Sequence, residues 1–199
     1  MADYKVIYSV GDTLIETISS KADAEADVVL QRENIILGSP ADAQDDDNVR
    51  LSLFLYNILR SEHQNQEMQQ LGPSNLAYPP LVLDLLYMIT AYSGANEATE
   101  RTRQEQNILG QVIQIFYDNA IIGGSTLRGS LTGTDAELRV VLTTISMESI
   151  TQMWNSFEGR AYKPSLFYQV TPVLVDSIRF SESQRVVDQG LDYQAITNR

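Results

Sequence analysis

The sequence predicts an α+β fold in which helices flank a mixed sheet of about five strands. Three segments repeat apolar residues at spacings of three and four, which is typical of amphipathic helices. In other segments, apolar residues alternate with polar ones or form short continuous runs, and both patterns are typical of strands. Because the two kinds of segment follow no regular strand-helix alternation and no internal repeat is visible, a parallel α/β sheet and a repeat array are disfavoured.

The first part of the chain predicts a helix over residues 3–19 and then strands. Short β-branched runs at 28–30 and 35–37 indicate strands or a ragged hairpin, and the acidic stretch 41–48 indicates a solvated turn. Residues 49–58 are apolar on both faces, which predicts a strand inside the sheet. The helix face consists of Ile7, Val10, Leu14, Ile15 and Ile18.

Residues 61–80 are polar and contain three prolines, which predicts a long connecting loop. Long loops without structure of their own tend to bind a partner or to become ordered on assembly. This loop is therefore the first candidate interface.

The second part predicts a strand over 81–92, a long amphipathic helix over 96–119 and a strand over 138–142. The dense leucines of 81–92 also permit a buried helix, but the flanking Pro79-Pro80 and Ser93-Gly94 favour the strand. Gly123-Gly124 is expected to stop the long helix, and a polar turn follows to Asp135. The packing face of that helix consists of Ile108, Leu109, Val112, Ile113 and Phe116.

Ser146 is a suitable cap for the next helix, which Gly159 ends, and residues 164–178 form the last predicted strand. Trp154 and Phe157 share an apolar stripe with Ile150 and Met153, and such a stripe more often belongs to a core than to a partner surface. The core strand positions expected to matter most for folding are Leu53, Leu55, Leu83 and Leu85.

These elements form one predicted domain, residues 1–178, followed by a polar tail, residues 179–199. The tail holds Val186-Val187 and Leu191-Asp192-Tyr193, which could add a strand to a neighbouring sheet edge. We expect the 61–80 loop and the tail to become ordered with a partner, and the alternative is a frayed terminus.

The net charge of −12 disfavours nucleic acid and anionic lipid surfaces as partners. The absence of cysteine excludes disulfides and thiolate metal sites. Met1 to Val6 lack a signal-peptide pattern, and the most apolar run, Leu81 to Ile89, is short and contains Asp84. We therefore expect synthesis and assembly in the cytoplasm, without membrane insertion.

The sequence offers no catalytic, cofactor or metal site. His63 is the only histidine and lies in the polar loop, so histidine triads and histidine-based metal sites have no basis. Asp42, Asp45, Asp46 and Asp47 lack the glycine and terminal glutamate of a calcium loop.

Gly124 to Ser130 resembles a phosphate-binding loop only superficially, because Ser130 stands where lysine is required. Glu97 and Glu100 are expected to form ion pairs with Arg101 and Arg103 on a solvated helix face.

Five segments, in this order and spacing, together resemble the cap-protein family of extracellular contractile injection systems. The likeness spans about residues 3–176. The sequence after Asp176 resembles nothing in the family, and it leaves little room for the larger C-terminal region that some relatives have. The segments are Leu51 to Ile58, Pro79 to Ser93, Leu109 to Asn119, Ile150 to Phe157 and Tyr162 to Val170.

This resemblance implies a tail-terminator-like fold and a homohexameric ring. The ring would close the inner tube and the contractile sheath at the end far from the baseplate, so the implied partners are the chain itself, the tube protein and the sheath protein. No catalytic residue and no cofactor come with the family, and the particle could be released or membrane-attached. The alternatives are a tail-completion protein of a contractile phage or prophage and, more remotely, a small hydrolase or nucleotide-binding enzyme.

Overall fold

The structure is a computed structural model that describes residues 4–43, 46–62, 69–70, 75–157, 159–178 and 180–182. The chain divides into two compact units, of which the first contains residues 1–64 and 81–176 and the second contains residues 65–80 and 177–199. The boundary between a domain of residues 1–178 and a tail of residues 179–199 stays a prediction, because residues 183–199 lie outside the described ones.

The described residues form helices and strands in irregular alternation. The helices are α1 (Val6–Lys21), α2 (Pro40–Ala43), α3 (Ala98–Asp118) and α4 (Met147–Asn155). The strands are β1 (Ile35–Ile36), β2 (Leu51–Arg60), β3 (Gln69–Gln70), β4 (Asn75–Ala77), β5 (Leu81–Ala91), β6 (Ile121–Gly123), β7 (Glu137–Leu142), β8 (Ser165–Val175) and β9 (Phe180–Glu182).

The first unit is built on a six-stranded sheet with the order β1-β2-β5-β8-β7-β6. β1 runs parallel to β2, and the other neighbouring strands are antiparallel. The predicted α+β class and the mixed sheet are confirmed, with six strands in place of about five. None of the helices in the described part of the chain is long and apolar enough to span a bilayer.

One face of this sheet packs against α1 and α3 and forms the main core. Alternation along β5 directs Leu85, Tyr87 and Ile89 toward this face, where each is at most 2% exposed. Ile108, Val112 and Phe116 of α3 and four of the five predicted apolar residues of α1 are buried in the same cluster. The two predicted helices are therefore confirmed, together with most of the faces that they bury, but Ile113 of the predicted α3 face is exposed.

The other face is covered in part by α4. Met88 of β5 and Phe167 of β8 pack against Trp154 and Phe157, and Phe54 of β2 lies edge-on to Phe157 with 5.7 Å between ring centroids. Ser146 caps α4, since its side chain accepts the Ser149 N–H. Both the Ser146 cap and the assignment of the Trp154 stripe to a core are thus confirmed.

Two predictions for residues 28–48 were wrong. The predicted strand at 35–37 is confirmed as β1, but residues 28–30 form no strand, and β1 pairs in parallel with Leu51 and Ser52, so the two runs form no hairpin. The apolar run at 28–30 instead supplies Leu30 to the core from an irregular segment, since burial requires no particular backbone. A single helical turn, α2, replaces the first part of the predicted solvated turn.

A short strand also went unrecognised after α3. The helix ends at Asp118, where the backbone and side-chain amides of Asn119 both donate to the Ile115 carbonyl, and Gly123-Gly124 therefore does not stop it. Ile121–Gly123 forms β6 at the sheet edge. Three residues are too few to show an alternating pattern.

The second unit contains a three-stranded antiparallel sheet with the order β3-β4-β9. Gln69–Gln70 pairs with β4, and β4 pairs with Phe180–Glu182. The prediction of a loop without strands over 61–80 was therefore wrong in part, and the start of the tail joins a sheet within its own chain. Residues 63–68 and 71–74 lie outside the described residues, as does most of the tail.

Candidate interaction surfaces

An exposed apolar groove lies between α3 and the outer strands of the first unit. We call it the α3–β7 groove and define its rim by Ile113, Tyr117, Ile121, Val141 and Leu142, which are 40–83% exposed. Its volume is about 460 Å³, and the buried residues Phe116, Val140 and Tyr168 form its floor. Large apolar surface of this kind on a folded chain is typical of an interaction site.

The groove follows from two features of the local sequence. Leu109, Ile113 and Tyr117 stand four residues apart on α3 and form an apolar stripe beside the core-facing one. β6 pairs only with Glu137, Leu138 and Arg139 of β7, so it leaves Val141 and Leu142 exposed. The second helical stripe therefore stays uncovered.

Aromatic packing holds the floor of the groove. The rings of Phe116 and Tyr168 meet edge-on with 5.0 Å between their centroids. Burial raises the pKa of Tyr168 to about 12, so the hydroxyl stays neutral at physiological pH. The floor thus presents uncharged surface to anything seated above it.

Among the described residues, Arg139 is the only charged one that lines the α3–β7 groove. Three other described cations have carboxylate partners within the chain: Arg32 pairs with Asp12 at 2.7 Å, Arg128 with Glu16 at 2.9 Å and Lys163 with Glu105. No ion pair of Arg139 occurs among the described residues. On a chain with net charge −12, this groove is locally positive.

A second exposed apolar surface lies where β2 ends. We call it the β2 end and define it by Ile58, Leu59 and Leu81, which are 40–44% exposed. β1 pairs only with Leu51 and Ser52 of β2, so in the described part of the chain no strand pairs with the outer edge of β2 after Ser52. The Asn57 side chain accepts the Ile58 N–H at 2.9 Å, which occupies one backbone group of this segment.

A polar cavity of about 420 Å³ lies near the start of α3. Lys163 pairs with Glu105 there, and its ammonium lies 5.5 Å from the centre of the Tyr92 ring. Burial raises the pKa of Tyr92, whose hydroxyl shares a hydrogen bond with Ser52. Cations and carboxylates both line this cavity, so it carries no charge of a single sign.

The structure gives structural roles to two of the acidic residues considered as ligands, Asp42 and Asp46. Asp42 accepts from the Ser39 hydroxyl and backbone N–H, and these hydrogen bonds lower the pKa of Asp42. Asp46 accepts the Asn48 N–H. His63 and Asp45 lie outside the described residues, and the residues that are described contain no cluster of metal-ligating side chains.

The predicted ion pairing on α3 is confirmed for Glu100, which lies 2.9 Å from Arg103. The side-chain hydrogen bond from Arg103 lowers the pKa of Glu100. Glu97 instead caps the helix, because its carboxylate accepts the N–H groups of Thr99 and Glu100. Both carboxylates therefore have structural partners within α3.

The glycine-containing loop after β6 is fastened to α1. The N–H of Arg128 donates to the Thr13 hydroxyl and the N–H of Ser130 donates to the Ser9 hydroxyl, each at 3.0 Å. Leu127 and Leu131 are buried beneath the loop. These backbone amides are already satisfied, so they form no phosphate cradle.

Gly129 is expected to tolerate no side chain. Its φ is +61°, and an added Cβ would lie 2.4 Å from the Ser9 hydroxyl oxygen. Gly129→Ala should cost about 1–2 kcal/mol for the left-handed backbone, with about 1–3 kcal/mol more for overpacking. Urea unfolding measures this loss. Gly124→Ala is the matched control, since Gly124 has the same φ and open space around it.

Sequence reasoning missed both apolar surfaces. Ile113 was placed in the packing face of α3, but it is 40% exposed and Tyr117 is 83% exposed. The spacing of Leu109, Ile113 and Tyr117 was a visible signal of a second stripe. Whether another element covers that stripe depends on the length of β6. The local sequence pattern does not show how long this strand is.

The sequence profile of the Pvc16 N-terminal domain family matches residues 9–189 of the chain. The fold is similar to that of the PVC sheath/tube terminator of an extracellular contractile injection system in its extended state, with a TM-score of 0.66 and 15% identity over 96% of this chain. It is also similar to the anti-feeding prophage cap, described as a tube-terminating cap, with a TM-score of 0.61 and 17% identity over 92% of this chain.

The chain spans less than two thirds of either solved relative, since it covers 64% of the PVC terminator and 60% of the anti-feeding prophage cap. At these identities, the likeness concerns the fold. No curated protein matches the sequence significantly.

Proposed function

The chain belongs to the Pvc16 N-terminal domain family, and from that premise we propose that it is a structural cap subunit of a contractile injection system. It closes the inner tube and the contractile sheath at the end far from the baseplate, and it acts by binding rather than by catalysis. The observation that carries the proposal is the likeness of the fold to two terminator structures over at least 92% of this chain.

We further propose that six copies form the closing ring. The α3–β7 groove and the β2 end support this step, because a ring subunit must offer adhesive surface to its neighbours. Each copy carries a net charge of −12, so contacts between copies must be locally complementary or screened by salt. Assembly takes place in the cytoplasm, and the ring becomes part of the particle.

Deleting the gene in a producing strain should leave baseplates intact while tubes and sheaths become irregular in length. A terminator occupies the growing end, and without it nothing defines where growth stops. Electron microscopy of purified particles gives the length distribution, and a complementing wild-type copy is the control. Particles of normal and uniform length from the deletion strain would reject the cap function.

The position of the subunit gives an independent measurement. A gold-labelled tag on the complementing copy should mark one end of each particle, opposite the baseplate. Label along the whole length would indicate a tube or sheath component instead.

A further inference from the structure

An open cleft with a volume of about 460 Å³ lies between β7 and β8. We call it the β7–β8 cleft and define its walls by residues 135–139 and 172–174. We propose that it binds an extended segment of another protein, in which apolar residues alternate with lysine or arginine, and that this segment adds to the sheet as a strand. The proposal goes beyond the cap function, because it identifies the chemistry of a bound segment.

The cleft exists because β7 and β8 diverge. Their pairing ends at Arg139 and Thr171, although β7 starts two residues earlier, at Glu137, and β8 continues for four more residues. Thr171 and Pro172 together oppose the single residue Asp84 of β5, so β8 bulges where it leaves β7. Pro172 also lacks an N–H and cannot continue the hydrogen-bond ladder. Each strand is therefore left with an uncovered edge.

The wall formed by β7 directs backbone groups into the cleft. The Thr143 N–H donates to the Phe167 carbonyl of β8 at 2.8 Å. In an antiparallel sheet, every second residue turns its N–H and C=O toward the same neighbouring strand. The backbone groups of Glu137 therefore point toward β8 as well, at a position where β8 does not pair with β7.

The wall formed by β8 does the same from the opposite side. The Val82 carbonyl of β5 accepts the Ser61 N–H, so the backbone groups of Val82 face β2. Those of Leu83 then face β8, where the register partner is Val173. The next residue, Leu174, consequently turns its N–H and C=O toward β7. No strand of the described residues pairs with Leu174 on that side, so an added strand can bond to it.

The side chains of the cleft suit a strand that is apolar on one face. Leu131, Leu138 and Val173 form the floor and are at most 3% exposed. Leu174 and Ile121 lie at the rim and are 40% and 56% exposed. Because successive residues of a strand point to opposite faces, an added strand can bury one apolar set and turn the other set toward solvent.

The charges at the rim favour a basic segment. The cleft is lined by the three carboxylates of Asp135, Glu137 and Asp176 and by one guanidinium, that of Arg139, which also lines the α3–β7 groove. Asp135 and Glu137 are exposed, and no ion pair of either occurs among the described residues. Lysine or arginine on the solvent side of an added strand complements this negative rim.

A short acetylated peptide in which valine and lysine alternate is the probe. It is titrated into the isotope-labelled full-length protein, and the backbone amide signals are followed by two-dimensional NMR. Saturable shifts should be confined to residues 135–139 and 172–176. The same peptide with glutamate in place of lysine should bind about tenfold more weakly or less. Shifts spread over the surface, or equal binding of the two peptides, would overturn the proposal.

N-methylated peptides test the strand addition itself. Methylation at every valine, or at every lysine, removes the N–H groups along one edge of the peptide. At least one of these two peptides should bind about tenfold more weakly than the parent, because it loses donors to the sheet edge. If neither loses affinity, the segment does not bind as a strand.

Charge variants separate the cleft from general attraction, since a chain with net charge −12 attracts any basic peptide. Glu137→Lys should weaken binding of the valine-lysine peptide about tenfold, and the milder Glu137→Gln should give a smaller loss. Glu33→Lys is the matched control, because it changes the net charge equally at an exposed position outside the cleft. Equal losses for Glu137→Lys and Glu33→Lys would contradict a site in the cleft.

Two further measurements identify other occupants. If the amide signals of the cleft move with protein concentration alone, a second copy of the chain fills it, and the proposal is rejected. If spermidine gives the same shifts as the peptide at the same concentration, the cleft takes small amines, and strand addition is rejected. None of these outcomes bears on the cap function, which the length of particles from the deletion strain tests separately.

Discussion

Leu85→Ala is expected to lower the free energy of unfolding by about 2–5 kcal/mol through the cavity that it leaves. Leu85 has no exposed surface and lies on β5, between β2 and β8, where its register partners are Ile58 and Val170. Neighbouring strands on both sides fix the backbone, so the site cannot collapse easily around the missing atoms. Urea unfolding followed by far-UV circular dichroism measures the loss.

Leu55→Ala is the matched control within the same sheet. The sequence places Leu55 beside Leu53, Leu83 and Leu85 as an equal core position, but Leu55 is only half-buried. The predicted strand that contains Leu55 is correct. Leu55 is less buried than Leu85 because β1 pairs only with the first two residues of β2. A smaller loss than for Leu85→Ala is therefore expected, and equal losses would contradict this difference in burial.

The long elements could be predicted because their patterns extend over many residues. α1, α3, β2, β5 and β8 each contain ten or more residues, enough for a period of 3.6 or 2 to be recognised. α4 is shorter, but Ser146 marks its start. These elements determine the class of the fold and most of its core.

The short strands could not be predicted, for the opposite reason. β1, β3, β4, β6 and β9 contain two or three residues each, which is too few to show an alternating pattern, and the pairing of β4 with β9 also joins segments distant in sequence. Asn75–Ala77 illustrates this, since its partner Phe180–Glu182 lies about a hundred positions later. The strands in the predicted loop over 61–80 and in the predicted tail were therefore missed.

The interaction surfaces were hidden by the same short elements. Sequence patterning identifies Ile113 and Val141 as apolar, but it cannot show that β6 is too short to cover them. The loop over 61–80 was the first candidate interface because of its polarity and prolines, and these features do not identify a binding surface.

The resemblance of five segments predicted the family, and the profile match over residues 9–189 confirms this prediction.

Trp154→Ala is expected to cost about 3–5 kcal/mol and to release α4 from the sheet. The side chain is 4% exposed and meets Phe157 and Tyr162 edge-on, with 5.7 Å and 5.6 Å between ring centroids. α4 has nine residues, and isolated helices of that length are marginal in water, so packing must hold it in place. Loss of the indole therefore removes most of what stabilises the helix.

Hydrogen exchange of residues 147–155 measures this release directly, and faster exchange there than in α3 is the expected result of Trp154→Ala. Binding of a dye that senses apolar surface should rise as well, because Met88 and Phe167 lose their cover. Tyr162→Ala is the matched control, since Tyr162 touches the same indole from the solvent side and is 54% exposed. If Trp154→Ala leaves exchange in α4 and the unfolding midpoint unchanged, the helix is held by something other than this aromatic cluster.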